Sequence, residues 1–370
     1  MKIGIDARML SSHFGIGRYI QQLILQLQKI DSENDYLIFL RQDNFAELKI
    51  ENDRFTKVLA DVPWYTMEEQ KIFLKILEDN PVDLMHFPHW NVPYFYKKPF
   101  VITIHDLTMY HYGRPEASTL GNLKFWFKDK AHRTLIKHLV KEAKHIIATS
   151  QFTAQDIVKT LGVPPEKITV TYQAPFKIES HLELPENVLQ KFGISKKFVL
   201  YVGAAYPHKN LDKLLESWQI FNEENSQDYE LVLVGKDSYF YQKLKEKFAN
   251  VTNVVFTGLV EDIDLIELYK KASVFVFPSL YEGFGLPPLE ASQCGLPVVA
   301  SSSSCLPEVL GESALYFDPL NQEQIAQVLY IALTDENVRS ELKYHARENL
   351  QRFSSEKLAV VTKGIYERSK

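Results

Sequence analysis

The stretch VFVFPSLYEGFGLPPLEASQCGLPVVAS, residues 274–301, is the most informative part of this chain. An apolar run from Val274 ends at Pro278, and a glycine-bearing loop follows (Glu282-Gly283-Phe284-Gly285). Pro287-Pro288 then open a helix carrying Glu290, and PVVAS (297–301) begins a second apolar run. Strand, loop, helix and strand in that order make up the repeating unit of a parallel sheet covered on both faces. Glycines let backbone approach a ligand closely, and a helix start with proline in its first turn offers unpaired N–H groups to an anion. Glu282 and Glu290 are eight residues apart, and carboxylates accept hydrogen bonds from vicinal hydroxyls. Taken alone, Glu290 reads as a carboxylate favouring the helix dipole. The loop and the second carboxylate favour a ligand.

Working outward, short apolar runs alternate with helix-length amphipathic stretches. KIGID (2–6), YLIFL (36–40), LMHF (84–87), FVITIHD (100–106), HIIATS (145–150) and ITVTY (168–172) form one series. FVLYVG (198–203), ELVLVG (230–235), VVFTG (254–258), VFVFPS (274–279), PVVAS (297–301) and ALYFDP (314–319) form another. Ile20, Leu23, Leu27 and Ile30 stripe one intervening helix, and Leu211, Leu214, Leu215 and Trp218 another. The series restarts near 198 after a polar, strand-poor stretch around 176–190. This predicts two doubly wound α/β domains, 1–180 and 181–352, with ligand-binding residues just beyond the carboxyl ends of the strands.

Composition agrees. At 370 residues, 45% hydrophobic and 24% charged, the chain is long enough for two cores and too apolar for disorder. Its 2 cysteines give neither a disulfide framework nor a zinc cluster. No apolar run approaches the ~20 residues that span a bilayer. MKIGIDARML reads as a first strand rather than a signal peptide, so a cytoplasmic setting is expected. Net charge is −5, against bulk nucleic-acid binding. Residues 1–175 hold 22 Lys/Arg against 20 Asp/Glu, leaving the remainder at 20 against 27.

Further pieces stand in order along the chain: DARMLSSHFGIGRYIQQLI (6–24), VITIHDL (101–107), ATSQFTAQDI (148–157), YVGAAYPHKNLDKLLES (201–217), FTGLVEDIDLIELYKKA (256–272) and SCLPEVLGESALYFDP (304–319). With the E-x7-E segment they resemble the retaining glycosyltransferases of family 4 over nearly the whole chain. That resemblance implies the GT-B fold, two Rossmann-like domains facing across a cleft, with a C-terminal helix (353–370) packing back toward the N-terminal domain.

It also implies roles. Glu290 would hold ribose hydroxyls, and Glu282 would contact the donor sugar or its leaving phosphate. The loop at Gly283 and the N–H groups of Phe284, Gly285 and Leu286 would bind sugar and phosphate oxygens. Lys209 would neutralise the diphosphate, Leu259 and Val260 would meet the base, and Gly15 and Gly17 would approach the diphosphate from the first loop. His105 would hydrogen-bond the transferred sugar. His208 stands where the family carries arginine, exchanging a permanent bidentate charge for a mostly neutral imidazole.

The implied reaction moves a sugar, first choice from GDP-mannose, to a glycan or lipid-linked glycan hydroxyl, without metal or other cofactor. UDP- and dTDP-sugars are alternative donors. A nucleotide-sugar 2-epimerase and a non-catalytic sugar-nucleotide binding subunit are the readings from other classes. Other features have plainer explanations beside the functional ones. His105 could be a satisfied strand-end histidine, and Gly15-Ile16-Gly17 lacks the third glycine of a dinucleotide fingerprint. Asp262-Ile263-Asp264 imitates a metal motif but reads as a helix start. Ser301 to Ser304 is a polar loop, and His86 and His89 either line an acceptor site or cap a strand. Residues 121–145 carry seven Lys/Arg against two acids after Phe125-Trp126-Phe127. They predict either a solvated N-domain helix or a peripheral contact with anionic membrane.

Overall fold

The computed structural model describes residues 1–10, 15–113, 122–176, 187–224 and 228–369. The chain divides into two compact units. Met1–His111, Leu120–Ala174 and Phe353–Lys370 form the first, and Tyr112–Thr119 with Pro175–Arg352 the second. The break falls before the expected 180/181, which lies outside the described residues. Thr171 bonds the backbone of Ala148, and Gln173 and Ala174 are buried, so the chain leaves the first unit only after them.

The first unit holds a seven-stranded parallel sheet: β1 (Lys2–Asp6), β2 (Asp35–Leu40), β3 (Phe55–Leu59), β4 (Leu84–Phe87), β5 (Phe100–Ile104), β6 (His145–Ala148) and β7 (Ile168–Val170), ordered β3-β2-β1-β4-β5-β6-β7. Neighbouring strand residues point to opposite faces. Ile3, Ile5, Ile38 and Val101 pack with Leu23 and Leu27 of helix Gly15–Ile30 and with Ile365 and Tyr366 of helix Ser355–Arg368. Met85, Phe87, Ile102 and Ile146 pack the other face with Ile136, Leu139 and Val140 of helix Asn122–Glu142. The apolar stripe of 121–145 therefore belongs to the core. Sequence reading overlooked β3 because FTKVL is an edge strand, half-exposed, with no continuous apolar run.

The second unit holds six parallel strands: β8 (Lys197–Val202), β9 (Tyr229–Val234), β10 (Val254–Gly258), β11 (Val274–Phe277), β12 (Val298–Ser301) and β13 (Ala314–Phe317), ordered β10-β9-β8-β11-β12-β13. The chain winds outward from β8 in one direction and from β11 in the other. The order thus reverses between β8 and β11, the place where open α/β sheets bind ligands beyond the carboxyl ends of their strands.

Candidate active site

The loops after β8 and β11 meet at that reversal. Pro207–Lys209 is a single 3-10 turn, and Asn210 follows it in the left-handed region (φ +61°). Its Nδ2 donates to Pro278 O at 3.1 Å and Pro319 O at 2.7 Å, pinning the β8 loop over the ends of β11 and β13. Leu280 N–H donates to His208 O at 2.8 Å. Held in this way, Lys209 Nζ donates to both oxygens of Glu282, at 2.7 and 2.9 Å. Glu282 N–H in turn donates to Ser304 Oγ at 3.1 Å. The serine loop is therefore a support for Glu282, a role its sequence did not signal.

Gly285 caps helix Leu286–Gln293 at φ +89°. A Cβ there would lie 2.9 Å from Leu306 Cδ2, so glycine is required by both conformation and space. Pro287 and Pro288 have no N–H, which leaves the unpaired donors of this helix end at the loop, Gly285 and Leu286 among them. Phe284 is buried beneath. Glu290 sits inside the helix, 3% exposed, accepting from Tyr269 Oη at 3.2 Å. Leu259 is exposed and Val260 buried just past β10, two strands beyond β8. His208 stacks on the exposed ring of Tyr206, centroids 5.9 Å apart.

The described residues contain no cluster of three or more His, Cys, Asp or Glu with metal-ligand geometry. Asp264 is already paired with Lys191 at 2.5 Å. Burial pushes the Cys294 thiol up to about 12 and raises Cys305 as well, so neither cysteine is an activated nucleophile.

In the first unit, His105 lies just beyond β5, almost fully buried. Its Nε2 lies 2.8 Å from Pro88 O. A carbonyl only accepts, so Nε2 carries the proton and Nδ1 accepts from Gln173 Nε2 at 3.0 Å. Burial lowers its pKa and keeps it neutral, and both ring nitrogens are engaged by the protein. Tyr19 packs edge-on against the ring at 4.9 Å. Tyr19 belongs to the helix that starts at Gly15, so Gly15 and Gly17 form a helical first turn rather than the expected loop. Residues 11–14, the rest of that motif, lie outside the described residues.

The two other histidines separate. His86, on the central strand β4, is fully buried between Tyr366 Oη (2.7 Å) and Thr103 Oγ1 (2.8 Å), and burial drops it to about 3. It is a core histidine and lines no surface. His89 is half-buried and contacts Asn91 and Tyr65. Sequence reading also missed Arg8, which is buried with its guanidinium on Asp6 (2.8 Å) and Glu69 (2.7 Å) and 3.5 Å over the Phe73 ring.

Residues 15–174 match the family described as Glycosyltransferase Family 4, and residues 186–349 match Glycosyl transferases group 1. O-antigen chain mannosyltransferase B of Escherichia coli is 32% identical over 299 residues, 78% of this chain and 75% of that protein.

The chain belongs to glycosyltransferase family 4.

It is a glycosyltransferase with the GT-B architecture of two parallel-sheet α/β domains. Among solved structures, sucrose-phosphate synthase from Thermosynechococcus elongatus superposes with a TM-score of 0.78 at 18% identity, covering 100% of this chain and 98% of that one. Anabaena HepE, solved with UDP-glucose, gives 0.74 at 17% identity with 100% of both chains covered. At such identities the likeness is one of fold.

Proposed function

We infer that this glycosyltransferase moves mannose from GDP-mannose, with retention of configuration, to a hydroxyl of a growing polysaccharide or lipid-linked glycan. The observation that carries the reading is the ammonium of Lys209 fixed beside Glu282 and the Gly285–Leu286 amides at the strand-order reversal. Cleaving the anomeric C–O bond leaves positive charge on the sugar and negative charge on the departing diphosphate. A fixed ammonium and helix-start N–H groups stabilise that anion as it forms. The acceptor oxygen bonds to the anomeric carbon on the face of departure, and its proton passes to the leaving phosphate oxygen. No enzymic nucleophile is required, which suits two cysteines whose thiols burial holds protonated. No metal is invoked, because Lys209 and the loop amides supply the positive field and Asp264 is committed to Lys191.

From β8, whose loop carries Lys209, to β10 is two inter-strand steps, about 10 Å, which suits an extended donor with its diphosphate at Lys209 and its base at Leu259–Val260. Glu290, buried behind the loop, is the ribose ligand in this reading. His105, in the first unit, is the proposed ligand of a hydroxyl of the transferred sugar. The choice of mannose and of a polysaccharide acceptor rests on the O-antigen chain relative.

A cytoplasmic enzyme with peripheral membrane contact completes the proposal. No helix among the described residues is long and apolar enough to cross a membrane. Lys130, Lys137, Lys141 and Lys144 are exposed along 122–144, as is Trp126. Tyr94, beside the exposed Phe95, stacks on His138 of the same helix at 4.3 Å. Side chains of Phe125 and Phe127 lie outside the described residues. Anionic liposomes should retain the protein at low salt and release it at high salt; no retention at low salt removes the membrane from the proposal.

The donor is tested by thermal shift with GDP-mannose, UDP-glucose and dTDP-rhamnose, followed by NMR of the product anomer. GDP-mannose should stabilise most and yield an α-linked product. Preferential stabilisation by another donor, or an inverted anomer, overturns the corresponding part.

A further inference from the structure

The Lys209–Glu282 pair is built by the scaffold from both sides. Lys209 ends a 3-10 turn locked by Asn210, whose left-handed backbone and two amide hydrogen bonds leave the turn little freedom. Glu282 is held at its own N–H by Ser304, itself in the left-handed region at φ +57°. The two side chains are only 19% and 12% exposed. The carboxylate offers two oxygens to one ammonium, at 2.7 and 2.9 Å, much as a phosphate would. The cation meant for the donor's diphosphate is thus already paired with a neighbouring carboxylate.

We propose that Glu282 is an internal stand-in for phosphate, exchanging with the nucleoside diphosphate for Lys209 at each end of the catalytic cycle. The proposal rests on the donor reading above and adds a step to it. When the donor arrives, the ammonium passes from carboxylate to diphosphate, and Glu282 is freed to face the sugar. Two anions sharing one cation repel each other. While the sugar is attached, its own contacts hold the donor against that repulsion. Once the sugar has left, those contacts are gone, and the carboxylate returns to Lys209 and displaces the nucleoside diphosphate. Glu282 therefore promotes product release.

The test is calorimetric titration of the full chain with GDP, UDP and inorganic pyrophosphate, on wild type, Glu282→Gln and Glu282→Gln/Lys209→Met. The nucleoside diphosphate that binds wild type should bind Glu282→Gln about tenfold tighter. Its inhibition constant against transfer should fall in parallel, and pyrophosphate should show the same trend. The gain should vanish in the double variant. Equal or weaker binding to Glu282→Gln overturns the exchange while leaving the donor reading intact. Failure of wild type and variant to bind any nucleoside diphosphate overturns both. If Glu282→Gln does not fold, Glu282→Asp, whose shorter side chain breaks the two-oxygen contact, should show a smaller tightening; none overturns the proposal.

Discussion

The two units hold their candidate residues by opposite means. In the first, His105, His86, Tyr19, Thr103 and Gln173 are neutral, buried and bonded to one another or to backbone. In the second, Lys209 and Glu282 are charged and partly open to solvent. A neutral buried network has one arrangement of lowest energy, since breaking any bond leaves an unpaired polar group at about 1–3 kcal/mol. It positions. An ion pair that keeps an opening to solvent can trade one partner for a stronger anion, because the incoming anion can reach it. It exchanges.

The contrast breaks first if Lys209 proves dispensable. Lys209→Ala should lower turnover at saturating donor by ~10²–10³, the usual cost of removing a fixed charge at a developing anion, with the fold retained by circular dichroism. Wild-type turnover would mean that the amides alone carry the diphosphate.

The neutral network is tested by acid. Burial holds His86 down to about 3, against an ordinary value near 6.5. Its contribution is therefore fully present above about pH 6.5 and is lost as pH falls from there toward 3, because the unfolded chain takes up a proton that the folded chain refuses. That should cost about 1.4 kcal/mol of stability per pH unit across the window. Urea unfolding at pH 7.0, 6.0 and 5.0 measures the slope, and His86→Gln should reduce it. A flat profile would show that the network tolerates charge.

A smaller effect sharpens the division within the second unit. Glu290→Gln keeps the Tyr269 contact and should weaken donor binding by about tenfold, one lost charge-assisted hydrogen bond, with turnover nearly unchanged. A fall in turnover with unaltered affinity would move Glu290 to the reacting bond. Least of all is expected from EDTA, which should leave the transfer rate unchanged; loss restored by Mg²⁺ or Mn²⁺ would add a metal to the charges at Lys209.

The sequence by itself determined the class of fold and the positions where chemistry is concentrated. Continuous apolar strands alternating with amphipathic helices leave few alternatives to parallel sheets. Glycine, proline, lysine and glutamate at fixed offsets mark the loops after β8 and β11, because φ > 0, helix starts and anion charge demand those residue types locally. Tertiary structure alone decided who meets whom. Nothing in ITVTYQ announces that Gln173 fixes the proton of His105, since their adjacency depends on β5, β6 and β7 lying side by side. His86 read evenly as strand cap or acceptor ligand until Tyr366, 280 residues away, was seen to close over it. Arg8 looked like part of a loop motif, yet its charge is spent on Asp6 and Glu69. Likewise Lys209 and Glu282, 73 positions apart, become partners only because the strand order reverses between the two strands that carry them. Propensity and periodicity act over a few residues, whereas burial and pairing are set by contacts between distant ones, and those contacts exist only in the folded chain.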